Sequence, residues 1–254
     1  MIENTFAVSE FRLGWFSDVI VSALPDPTAS MSILDIGCGV GDQIFDLAER
    51  LPAASFVGVD IVHANIEAAE RRRLTSSAAS RVTFVEENYR TYTATHPFDL
   101  AFSYSVLQFL PDGVDALADR LSADVRPGGT FVNVMARRCG YNTGLAVVRR
   151  LLTTVRSAAS DRVLLAIARL LHGGMLTSAQ LSERIPYAYA TMLQWEEDLA
   201  SRMERCRWVT TSHGPIAHAS LAQMKHALRV MHHLDAPDSG HGISLDRGDG
   251  ATFI

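Results

Sequence analysis

Lysine is almost missing from this chain: Lys225 is the only one among 254 residues, and arginine supplies nearly all the positive charge. With a formal net charge of −5 and no basic tail, the sequence lacks the clustered cations that phosphate binding demands. That argues against a nucleic acid partner. Arg71-Arg72-Arg73 is the one basic run, and on a helix-patterned segment it reads as a solvated face. Cysteine is scarce too. Cys38, Cys139 and Cys206 show neither metal-binding spacing nor a disulfide framework, so no metal is expected and the expected compartment is the reducing cytoplasm. No uninterrupted apolar run of about 18 residues occurs, so neither a membrane span nor a membrane partner is expected. Met1-Ile2-Glu3-Asn4 lacks the basic-then-apolar pattern of a signal peptide. Internal repeats and low-complexity tracts are absent.

What the sequence does have is alternation. Phe11, Trp15, Val19, Ile20 and Leu24 fall at helical spacing and predict a helix over 10–24, ended by Pro25-Asp26-Pro27. Buried-type strands are predicted at 31–36, 56–60, 82–85, 98–103 and 130–135. Helices are predicted at 42–51, 65–74 and 114–125, and a turn at Arg126-Pro127-Gly128-Gly129. This rhythm predicts an α/β fold with a parallel sheet and helices on both faces. Beyond residue 139 the pattern changes. Residues 144–171 are apolar, arginine-rich and helical in spacing, further helices are predicted at 177–183, 191–205 and 219–234, and a sixth strand at 207–212. The last four residues read as a seventh strand or a frayed end.

The most specific stretch is Ile33-Leu34-Asp35-Ile36-Gly37-Cys38-Gly39-Val40-Gly41-Asp42. A strand runs into glycines at every second position, where backbone must turn tightly and a ligand can approach the main chain. The third glycine of the dinucleotide-binding fingerprint is replaced by Asp42, which disfavours a nicotinamide oxidoreductase. In a parallel sheet, ligands bind outside the carboxyl ends of the strands. The second strand ends there in Asp60, nineteen residues after Gly41, where a carboxylate can accept from both ribose hydroxyls or cap the next helix.

Asp35 with glycines 37, 39 and 41, then Asp60, then Phe98-Asp99-Leu100-Ala101-Phe102 leading to Leu107 and Leu110, then Arg126-Pro127-Gly128-Gly129, resemble in order and spacing the class I methyltransferases that use S-adenosylmethionine. The resemblance covers residues 31–135. It implies a Rossmann-like three-layer sandwich with a mostly parallel seven-stranded sheet. It further implies a helical lid at 1–30, a cofactor-binding core at 31–138, a helical insertion or lid at 139–206, and completion of the core by 207–254. S-adenosylmethionine would contact Asp35, Gly37, Cys38, Gly39 and Gly41 in the loop, and Asp60 and Ile61 after the second strand. Asn88, at a position where the family usually has Asp, and Tyr89 would meet the adenine. Ser103, Tyr104 and Gln108 would line the methionine end.

The expected function is methyl transfer to a small organic acceptor (O-, N- or C-methylation) in specialised metabolism, by a monomer or homodimer. The alternative is a protein that binds the cofactor without transferring its methyl group. A base is needed only for an acceptor that arrives protonated, and His213, after the sixth strand, is the candidate. Trp15, Tyr141, Tyr187 and Tyr189 are candidates for the acceptor pocket, each also readable as ordinary packing.

Overall fold

The computed structural model describes residues 10–135, 138, 140–172, 189, 193–195, 198–199, 202 and 207–211. They divide into two units: Met1–Ala136 with Gln194–Ser212, and Arg137–Leu193 with His213–Ile254. The first unit opens with α1 (Glu10–Ala23) and continues β1 (Ser32–Ile36), α2 (Asp42–Arg50), β2 (Ser55–Asp60), α3 (His63–Arg73), β3 (Val82–Glu86), β4 (Phe98–Tyr104), α4 (Val114–Asp124) and β5 (Val125–Val134). It closes with β6 (Arg207–Thr211). All neighbours are parallel, in the order β3-β2-β1-β4-β5-β6. Strand order reverses between β1 and β4, which puts the ligand crevice of such a sheet at their carboxyl ends. Six strands are described; the proposed seventh, at 251–254, lies outside the described residues.

Two apolar layers flank the sheet because alternate strand residues face opposite sides. Ile33, Leu100, Phe102 and Val132 face a layer completed by α1 and α2, while Leu34, Ala101 and Phe131 face one completed by α4. Helix α1 is bound into the first of these. Phe16 and Ile20 are fully buried, and Phe16 meets Phe102 and Tyr104 edge-on at centroid distances of 5.9 and 5.2 Å. Ser17 hydrogen-bonds Asp46 and Gln43 of α2. Helix α1 thus contributes to this core layer, and Trp15 packs half-buried against it.

One expectation is corrected, and two other features bear on the fold. The Arg-Pro-Gly-Gly turn is a bulge inside β5: the ladder steps from Phe98↔Val125 to Leu100↔Thr130, with Gly128 at φ +77°. Between β3 and β4 the chain crosses in turns, with no helix among residues 87–97. The basic run is exposed at Arg71 and Arg72, and each of its three arginines has an acidic partner. Arg71 pairs with Glu67, Arg73 with Glu70 and the Ala79 carbonyl, and Arg72 reaches back to Asp42 and the Val40 carbonyl.

The second unit contains α5 (Gly140–Thr154) and α6 (Ala158–His172) where a single helical run is expected. The break follows Val155. Ser157 and Ser160 exchange backbone-to-hydroxyl bonds there, the reciprocal cap that starts α6. Tyr189 is buried in this unit. Its hydroxyl donates to Asp161 and meets Ser160 at 3.1 Å, its carbonyl accepts from Thr153, and the Arg156 guanidinium lies 4.7 Å from its ring centre. Packing, not pocket lining, is the role these contacts give it. The helices proposed at 177–183 and 219–234 lie outside the described residues, as does most of the one proposed at 191–205.

Candidate functional site

Asp35 stands next to last in β1, in register with Gly58 on one side and Phe102 on the other. The residue is 4% exposed, and no donor from the described residues bonds its carboxyl. Burial, and then the charge of Asp60, push its pKa well above the usual carboxylate range. A buried acid left without a donor weakens folding unless a ligand completes it.

The loop that follows is fixed by its own backbone. Gly37 and Cys38 donate to the Val59 carbonyl at 2.8 and 3.1 Å, tying the turn to β2. Gly37 has φ +79°, and a Cβ there would come within 2.3 Å of Val106 Cγ2. Gly41, at φ +80°, starts α2 without a side-chain cap. Cys38 is packed against the loop, its thiol pushed up by burial and by the Asp35 and Asp60 charges. It is a space-filling side chain here, not a nucleophile.

Asp60 joins the glycine turn to α3. Its Oδ2 accepts from Gly39 N–H at 2.9 Å, and its Oδ1 from Val62 N–H at 2.8 Å and Asn65 Nδ2 at 3.3 Å. One carboxylate thus holds the loop and the residue that precedes α3, whose own N-cap, Val62, brings no side-chain bond. Ile61, beside it, is 63% exposed, an apolar side chain held at the rim of the crevice.

The remaining predicted residues divide. Asn88 is half-buried, and its Oδ1 accepts from Arg90 N–H in a local turn. Tyr89 is instead turned into the second core. Its hydroxyl donates to Asp124 at 2.8 Å, with Arg120 4.8 Å from its ring centre, so it is not carried into the site. Tyr89→Phe is expected to cost about 1–3 kcal/mol in urea unfolding, because the buried Asp124 carboxylate loses its donor. Ser103 is fully buried, its hydroxyl on the Ile36 carbonyl at 3.2 Å, where it sets the spacing of β1 and β4. Tyr104 is half-buried and braced by Phe16, and Gln108 is buried in the short helix Leu107–Phe109. Tyr187 and His213 lie outside the described residues, and of Tyr141 only the helical backbone is described.

Two features at this sheet edge escaped the sequence reading. Ser105 has a left-handed backbone, φ 56°, and its N–H closes on the Val134 carbonyl at 2.8 Å. Asn133 is fully buried in β5 with neither carboxamide atom paired to protein. An amide inside the otherwise apolar run Phe131-Val132-Asn133-Val134-Met135 was the visible signal for the second; nothing local marks the first.

Comparison with known proteins agrees with this geometry. Residues 33–129 match the family model described as a methyltransferase domain. The chain is 35% identical over 106 residues to a trans-aconitate 2-methyltransferase of Azoarcus sp. (strain BH72), covering 42% of this chain and 39% of that protein. It is 30% identical over 123 residues to the Streptomyces avermitilis protein of the same name, covering 48% and 45%. The chain thus spans less than half the length of these relatives. Among solved structures, a possible exported protein from Bordetella parapertussis shares the fold with a TM-score of 0.51 at 16% identity, over 78% of this chain and 60% of that one. With the acid-glycine loop, the tied Asp60 and the parallel sheet already in place, residues 33–129 form a methyltransferase domain of the class I, S-adenosylmethionine-dependent family.

Proposed function

We propose that this chain methylates a small organic acceptor with S-adenosylmethionine, and that Asp35 and Asp60 are the two anionic anchors of the cofactor. The observation that carries this reading is the unpaired buried carboxyl of Asp35 at the end of β1, one residue from a glycine turn that admits no Cβ. A cationic amine fits that carboxyl, and two adjacent acids give the crevice a field that favours a cationic ligand. When bound, S-adenosylmethionine supplies a methyl group already activated by a sulfonium leaving group.

The chain's part is to hold and to exclude. Asp35 accepts from the ammonium, and the glycine backbone lies against the ligand. Asp60 retains one acceptor position beyond the three already used, and the 3.3 Å bond from Asn65 is the weakest of those to exchange for a ribose hydroxyl. Ile61 offers an apolar surface to the adenine, and Asn88 faces its amino edge. Ser103, Tyr104, Gln108 and Cys38 shape the methionine end. Alignment and exclusion of water then supply most of the acceleration. An acceptor carboxylate, as in the substrate named for the two relatives, is already anionic and needs no base. His213 is the proposed base for a protonated acceptor, and Trp15 and Tyr141 are aromatic candidates for the acceptor pocket.

Incubation with labelled methyl donor and a panel of acceptors that includes trans-aconitate tests the reading; transfer to at least one is expected. Tight S-adenosylhomocysteine binding without transfer to any acceptor would leave a protein that binds the cofactor only. Asp60→Ala is expected to weaken S-adenosylhomocysteine at least about tenfold, since charge-assisted bonds of roughly 1.5–3 kcal/mol are lost. It is also expected to cost about 1–3 kcal/mol in unfolding as the Gly39 and Val62 N–H groups lose their acceptor. Calorimetric affinity equal to the parent's in the folded variant removes Asp60 from the site.

A further inference from the structure

In the second unit, α5 and α6 hold large aliphatic side chains in water. Val147, Val148 and Leu151 on α5, Val155 just after it, and Val163 and Ile167 on α6 are each 47–61% exposed. At about 100° per residue, the four on and after α5 share an arc of about 100°, and the two on α6 an arc of about 40°. Exposed Arg150 borders the first arc; exposed Arg162 and Arg169 share one flank of α6, about 100–120° round from the second. Arg150 and Arg162 have no acidic partner among the described residues. Residues 140–172 contain five arginines and one acid, Asp161, which accepts from Tyr189, in a chain whose net charge is −5. Cation and aliphatic surface are thus concentrated on one segment of an acidic protein.

Exposed aliphatic arcs edged by arginine call for an occupant that is apolar and anionic at once. A second copy of the chain pairing this face with itself would set arginine against arginine. An anionic bilayer surface meets both demands: aliphatic side chains enter the boundary between headgroups and acyl chains, and arginines lie along the phosphates. No described helix is long and apolar enough to cross a membrane, and α5 and α6 have 15 residues each. The absence of a span, which underlies the expectation of no membrane partner, does not bear on a helix lying in the interface.

We propose that the α5–α6 segment is an interfacial anchor for anionic lipid surfaces. The full chain, sedimented with vesicles of equal phosphatidylcholine and phosphatidylglycerol, is expected in the pellet at low salt. It stays in solution with phosphatidylcholine alone and is released as salt screens the arginines. Val148→Asp with Leu151→Asp removes the aliphatic contribution, and Arg150→Glu with Arg162→Glu removes the ionic one. Each pair is expected to lower the bound fraction about tenfold or more, at unchanged melting temperature because all four side chains are exposed. S-adenosylhomocysteine affinity is the control. It reads the first unit, so failure of the lipid proposal and failure of the methyltransferase reading are separable. No sedimentation with the anionic vesicles overturns the proposal, as does equal sedimentation of parent and variants. A concentration-dependent dimer that Val148→Asp disperses would assign the face to a second copy and overturn it as well.

Discussion

Gly37→Ala is expected to lose about 2–5 kcal/mol of stability, a large share of the roughly 5–15 kcal/mol that holds a domain together. Two separate causes add. An L-residue at φ +79° costs about 1–2 kcal/mol, and forcing a methyl to 2.3 Å from Val106 Cγ2 requires repacking that costs about 1–3 kcal/mol. The causes can be told apart. Val106→Ala removes the steric partner and leaves the backbone strain, so the double variant is expected to recover part of the loss and no more. A double-mutant cycle by urea unfolding measures that recovery as a coupling energy. Strict additivity of the two substitutions would show that Val106 does not close on the turn. Because Gly37 and Cys38 N–H groups are bonded to Val59, the same variant is expected to bind S-adenosylhomocysteine more weakly even where it remains folded.

The turn was legible because its signals are local. A strand period of two passes to a helix period within ten residues, and the glycines fall where φ turns positive. Asp60 was legible by its distance along the chain from that loop. The tyrosines were not. Tyr89 and Tyr189 have the same chemistry in sequence as a ligand-facing ring, and their destinations were decided by Asp124, 35 positions away, and by Asp161, 28 positions away. The β5 bulge misled for a related reason. Arg-Pro-Gly-Gly has the composition of a turn, and what makes it strand is pairing to β4, where Asp99 accepts from Ser32 across 67 residues and pairs with Arg126. Local residue choice marks where the backbone must bend; it does not say which distant side chain a hydroxyl will find.

Asp35→Asn is expected to separate folding from binding, making the chain more stable and its site weaker. Burial and the Asp60 charge raise the folded-state pKa of Asp35 above its unfolded value, so the native state holds this proton more tightly. Below the unfolded value both states are protonated and the acid costs nothing. As pH rises past it, the unfolded chain gains by ionising and native stability falls, until pH exceeds the raised folded value. The amide cannot ionise. The melting temperature of Asp35→Asn should therefore exceed the parent's by a margin that grows from acid towards neutral pH. The same proton appears in binding. Wherever the free protein keeps Asp35 protonated, capture of a cationic amine drives the proton off, so the binding enthalpy of S-adenosylhomocysteine should depend on the ionisation enthalpy of the buffer. In Asp35→Asn that dependence should vanish, and affinity should fall about tenfold to a hundredfold with the charge-assisted bond. A parent protein that binds without releasing a proton, at a pH where the variant is the more stable of the two, would mean that the ammonium lies elsewhere. The buried acid at the end of β1 would then have neither a structural partner nor a ligand to complete it.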